Sequence, residues 1–65
     1  MKKKYIVTAE IENVKVCFFK EKKDYGMTTE RKGAKKFRDI NLAGAFINSL
    51  IKNLSKEYKY TLETY

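Results

Sequence analysis

The sequence contains no histidine and no proline, and has one cysteine and three glycines in 65 residues. Without histidine the usual general base is missing, and so are the Ser/His and Cys/His pairs that activate a nucleophile. Cys17 alone forms no internal disulfide, and no Cys-pair or His-pair spacing exists to hold zinc. Gly26, Gly33 and Gly44 stand too far apart to cradle a phosphate. Carboxylates are scattered: Glu10 and Glu12 flank a turn, Glu21 and Asp24 fall in a charged stretch, and none is paired for acid–base work. The expectation is a protein that is not an enzyme and takes no cofactor, metal or small-molecule substrate.

Long apolar runs are missing too. Nothing approaches the roughly 20 residues of a membrane-spanning helix, so no membrane is expected as a partner. Lys2, Lys3 and Lys4 resemble the start of a signal peptide, but the stretch YIVTAEIENVKV that follows is broken by Glu10 and Glu12. With a free thiol and no export signal, the chain is expected to be cytoplasmic.

What is present points to a core. Hydrophobic residues make up 43% of the chain, with five Tyr and four Phe, which argues against disorder. One domain over residues 1–65 is expected, near the lower size at which packing alone sustains a fold. Residues 39–58, DINLAGAFINSLIKNLSKEY, organise it. At 100° per residue Ala43, Phe46, Ile47, Leu50, Leu54 and Tyr58 share one stripe, with Ile40 and Ile51 at its edge, which predicts an amphipathic helix. Asp39 is its expected N-cap.

The rest alternates with period two. In residues 4–11, Tyr5, Val7, Ala9 and Ile11 oppose Ile6, Thr8 and Glu10. In residues 14–21, Val14, Val16 and Phe18 oppose Lys15, Cys17, Phe19 and Glu21. Both read as strands, joined at Glu12-Asn13 by a tight hairpin. Residues 20–24 (KEKKD) read as a charged loop, residues 25–30 as a third strand, and residues 58–65 as a last one. Ala34 and Phe37 look like anchors that return the chain to the sheet before the helix. The predicted fold is α+β: a two-layer β-β-β-α-β arrangement, an antiparallel meander with one helix packed on one face and strand 4 on an edge. Val7, Ala9, Val14, Val16, Phe18 and Leu62 are expected to meet the helix. The opposite face would leave Ile6, Thr8, Cys17 and Phe19 open as an association surface for a homodimer or a partner.

The net charge is +7, from 15 Lys/Arg against eight Asp/Glu. A small basic protein is drawn to polyanions at low salt, and the same charge also serves solubility. The strongest local signal is residues 31–38, RKGAKKFR, where five of eight residues are cationic and none is acidic. Such a cluster neutralises several phosphates. Phe37 within it is either a stacking residue or a core anchor. Lys2–Lys4 and Lys20, Lys22 and Lys23 fall at one end of the first hairpin, with Tyr5 and Tyr25 nearby, which gives a concentrated positive edge. No base-reading motif accompanies it. One reading is therefore a protein that binds nucleic acid, or a host protein that handles it, with Lys22, Lys23, Arg31, Lys32, Lys35, Lys36 and Arg38 as backbone contacts. The other is a protein-interaction module, a homo-oligomer or an inhibitor of a host enzyme, that uses the open sheet face or a strand edge.

The stretch AKKFRDINLAGAFINSL at residues 34–50 is similar to one in small phage and prophage proteins of low-GC Gram-positive bacteria. There an Ala-Lys-Lys-Phe motif, a capping residue two positions on, and an Ala then an aromatic-led FINSL helix follow a hairpin that opens with MKKKY. Ala34, Phe37, Asp39, Ala43 and Phe46 through Leu50 occupy those places, over about a quarter of the chain plus its first residues. The resemblance implies no activity and carries over no functional residue. It implies a setting: an accessory phage product that acts in the host cytoplasm by binding host machinery.

Overall fold

The period-two pattern forms its first hairpin as expected. The computed structural model describes residues 3–65. Strand β1 is Tyr5–Ile11 and strand β2 is Val14–Glu21. Ile11 pairs with Val14, so Glu12 and Asn13 alone make the turn, both at positive φ (51° and 67°). That is the sign pattern of a type I′ turn, whose twist matches the strands; Asn suits it and Glu tolerates it poorly.

Strand β3, Asp24–Thr28, corrects the charged loop expected over residues 20–24. Glu21 pairs with Asp24, and only Lys22 and Lys23 lie outside the ladder. Lys22 takes φ 57° while Lys23 does not go positive, the signs of a type II′ turn normally opened by glycine. Alternation and cross-strand pairing impose this turn despite its residues. Gly26 faces Phe19 across the ladder, and a Cβ placed on it would come 2.5 Å from the Phe19 ring. The glycine is there to let that ring lie flat across the strand.

Helix α1, Ile40–Asn53, is shorter than its apolar stripe suggested. Asp39 caps it as expected, its carboxylate accepting from the Asn41 amide at 2.7 Å. At the other end Leu54 leaves helical geometry (φ −114°, ψ −81°), and the Leu54 and Ser55 amides both donate to the Leu50 carbonyl. The Tyr60 hydroxyl then donates to the Ser55 carbonyl at 2.6 Å. Tyr58 and Tyr60 therefore reach the core from the loop after the helix. Strand β4, Thr61–Thr64, is correspondingly shorter than expected and pairs with β1.

The strand order is β3-β2-β1-β4, antiparallel throughout, with the helix on one face: the α+β arrangement the pattern predicts. Val7, Ala9, Val16 and Phe18 meet Ala43, Phe46 and Leu50 there, with Phe37 among them. Phe18 and Leu50 are fully buried, a placement worth roughly 1.5–3 kcal/mol for each such side chain. Val14, expected in this layer, is instead 47% exposed beside the first turn.

The opposite face is not open. Ile6 is fully buried, and Thr8 and Cys17 are each 1% exposed. The chain leaving β3 makes one 3₁₀ turn over Arg31–Gly33 and crosses this face, so that Ala34 packs with Ile6 and Cys17. It then passes where β1 and β2 part: the Lys35 amide donates to the Phe18 carbonyl at 3.0 Å, and Phe37 and Tyr5 exchange backbone hydrogen bonds at 2.8 and 2.9 Å. Ala34 and Phe37 are both anchors, on opposite faces of the sheet. Ile6, Thr8, Cys17 and Phe19 therefore form no open patch, contrary to the expectation from alternation. The connection, anchored by Ala34, covers Ile6 and Cys17, while Thr8 donates its hydroxyl to Glu63 and Phe19 is half-buried against Gly26.

Candidate nucleic-acid interface

The fold divides the basic run 31–38 between two faces. Arg31 belongs to the covered face. Its guanidinium lies 2.8 Å from the Glu63 carboxylate, donates to the Thr64 carbonyl at 3.0 Å, and stands 5.8 Å from the centre of the Tyr65 ring. Lys36 turns the same way. Its ammonium donates to the Lys32 and Ala34 carbonyls at 2.6 and 3.0 Å and stands 4.6 Å from the Tyr65 ring centre. Lys32 is exposed, with Glu30 at 3.8 Å.

Glu63 is the hub of this face. It also accepts from the Thr8 hydroxyl at 2.8 Å and pairs with Lys15. The Lys15 contact, aided by Thr8 and Arg31 and opposed by partial burial, holds its carboxyl down at about 2, from an ordinary 4.5. Arg31 is thus a structural clamp. Sequence reasoning did not single out Glu63, because its partners lie 32 to 55 residues away and the edge that β4 joins leaves no mark in the pattern.

Lys35 and Arg38 lie on the other side of the crossing and, with Lys20 of β2, line an open groove of about 520 Å³; Lys36 also borders it, although its ammonium is held by the Lys32 and Ala34 carbonyls. One wall is the side of α1 made by Leu42, Ala45, Phe46 and Ser49, residues spaced three and four apart and so neighbours on the helix surface. The other wall is Lys20 and Tyr25, directly opposite one another on β2 and β3. Phe37 and Phe46 form the floor, their ring centres 5.1 Å apart, with Tyr25 5.8 Å from Phe46. Phe37 is buried, so of the two roles open to it the core anchor is the one it takes.

The electrostatics of the groove are one-sided. No acidic side chain among the described residues lines it. Among the described residues Lys20, Lys35 and Arg38 have no carboxylate within ion-pair distance. The Lys20 ammonium rests 5.3 Å from the Tyr25 ring centre and that of Lys35 5.6 Å from Phe37. Such contacts are weak at exposed sites and leave the ammoniums available to an anion. Burial of apolar floor beneath free cations is an arrangement for a ligand that is part ring and part anion.

The remaining expected contacts flank this groove. Lys22 and Lys23 form the β2–β3 turn, one residue pair beyond Lys20 and Tyr25. Lys22 borders a smaller hollow of about 210 Å³ that Glu21 and Asp24 share, which makes it a poorer anion site. Lys3 and Lys4 are exposed at the start of β1, at the same end of the sheet by the antiparallel register. Lys2 lies outside the described residues. The cations at this end are Lys3, Lys4, Lys20, Lys22, Lys23, Lys35 and Arg38, with Lys36 bordering the groove while its ammonium is tied to the Lys32 and Ala34 carbonyls; Arg31 does not line the groove. Lys20 was legible as a member of the edge, whereas Leu42, 60% exposed at the groove rim, sat off the apolar stripe and drew no notice.

Among the described residues no group of His, Cys, Asp or Glu is placed to hold a metal ion, and no helix is long and apolar enough to cross a membrane. No family model matches the chain, and no curated protein or solved structure shows significant similarity to it.

Proposed function

We propose that this chain is a non-enzymatic binding protein that holds the sugar–phosphate backbone of a nucleic acid along the edge formed by Lys20, Lys22, Lys23, Lys35 and Arg38. One observation carries the reading: among the described residues, Lys20, Lys35, Lys36 and Arg38 stand around one groove without a carboxylate partner, and the ammonium of Lys36 alone of them is tied to backbone carbonyls. Lys32 and Lys15, by contrast, stand beside Glu30 and Glu63, and what sets the groove cations apart from other free lysines is that they converge on one concavity. Contacts of this kind position a backbone and read no sequence. The cytoplasmic, phage-accessory setting that the AKKF and FINSL pattern implies suits a protein of this class. The test is a gel shift or anisotropy titration against random duplex and single strands at near-physiological salt. Binding in the range of roughly 1–100 μM is expected, and none below about 100 μM would retire the reading.

A second reading, a protein-interaction module, no longer has the sheet face, since Ile6, Thr8 and Cys17 are buried. It keeps the outer edges of β3 and β4, which among the described residues have no neighbouring strand and can accept one from a partner. Sedimentation separates the two: a monomer at working concentrations removes the homodimer version.

A further inference from the structure

Phosphate contacts alone need no groove; a flat basic surface serves. Here the cations surround an apolar concavity, and Leu42 is left 60% exposed at its rim with no protein neighbour to cover it. At about 520 Å³ the groove falls in the range of sites that enclose a small molecule, roughly 300–1,000 Å³. A planar heterocycle joined to a phosphate matches both parts: the ring against Tyr25 and Leu42, the anion against Lys20, Lys35 or Arg38. The exchange at the rim is favourable in kind, because an ammonium gives up a weak contact with a ring for a charge-assisted hydrogen bond. In doing so it uncovers the Tyr25 ring face.

Duplex has no free ring to offer, since its bases are stacked and paired; only unpaired bases reach such a pocket. The helix gives no counter-argument for duplex. Lys52 is the one cation on α1, and the helix exposes Ile40, Leu42 and Ile51 among its polar residues, a surface ill-suited to a groove lined with phosphates.

We infer that the groove seats an unpaired base of a single-stranded nucleic acid, packed on Tyr25 and Leu42 while Lys20, Lys35 and Arg38 hold the adjacent phosphates. The inference rests on the backbone reading above and adds strand preference to it. The test is fluorescence anisotropy with one labelled single-stranded oligonucleotide, the same strand in duplex, and an abasic strand of equal length, all at one salt concentration. The single strand is expected to bind roughly tenfold more tightly than the other two. Tyr25→Leu, which keeps apolar volume, and Leu42→Asp, at a surface position that the fold does not need, are each expected to remove that margin while leaving the abasic affinity of Tyr25→Leu unchanged. Equal affinity for all three probes overturns the inference and leaves backbone binding standing. Absence of binding to any probe overturns both. Self-association abolished by Leu42→Asp, with no oligonucleotide binding, assigns the groove to a second copy of the chain and also overturns it.

Discussion

The Arg31 guanidinium stands 2.8 Å from the Glu63 carboxylate, across 32 residues of chain, and this contact ties Arg31 to β4, away from the groove that Lys35 and Arg38 line. Arg31→Ala is expected to lower stability by about 0.5–1 kcal/mol, since it removes an exposed ion pair and a hydrogen bond to the Thr64 carbonyl. It should leave the salt dependence of oligonucleotide binding unaltered. Arg38→Ala should do the reverse, lowering the log–log salt slope by about 1 with a stability change within roughly 0.5 kcal/mol. Urea unfolding and anisotropy on the two variants check the pair.

Glu63 makes the fold acid-sensitive. Its folded-state pKa is depressed, from 4.5 to about 2, so the stabilisation is fully present above the unfolded value and is lost as pH falls between the two. Urea midpoints measured from pH 6 down to pH 2 should fall across that window. Glu63→Gln should be less stable at neutral pH and flatter over the same range.

Cys17 reports on the covered face. At 1% exposure, beneath Ala34, its thiol should react with a thiol reagent only through opening of the structure. Labelling of the native protein should be slow and should accelerate with denaturant. Ala34→Glu, which places a charge under the crossing segment, should make the thiol react at once. Rapid labelling of the unaltered protein would mean that residues 31–36 do not cover the sheet.

Gly26 is tied to Phe19. Gly26→Ala puts a methyl within 2.5 Å of the ring and is expected to cost about 1–3 kcal/mol. In a Phe19→Ala background the same change should be nearly neutral, a coupling that a double-mutant cycle measures directly.

Where the sequence was readable and where it was not has a physical cause. The Glu12-Asn13 hairpin follows from alternation on both sides and an Asn that accepts positive φ. The Lys22-Lys23 turn carries no such residue, so a charged loop was the natural reading, and only the pairing of Glu21 with Asp24 tightens it. The helix was read too long because Leu54 and Tyr58 continue the stripe; Tyr58 does reach the core, from a loop that no glycine announces. The candidate site was half legible. Local charge density marks residues 31–38, but which cations face outward depends on Glu63 and Tyr65, whose proximity is a property of the folded sheet.

The central claim is that the charge around the groove is for binding rather than for solubility, and one comparison tests it most directly. Two charge-matched variants are titrated with a single-stranded oligonucleotide over a salt series: Lys20, Lys35 and Arg38 all to Gln, and Lys52, Lys56 and Lys59 all to Gln, the latter three exposed and outside the groove. The groove variant should lose binding at near-physiological salt, with a slope shallower by about 3, while the other stays close to the unaltered protein. Equal losses in the two variants would show that only net charge matters, and would contradict the account.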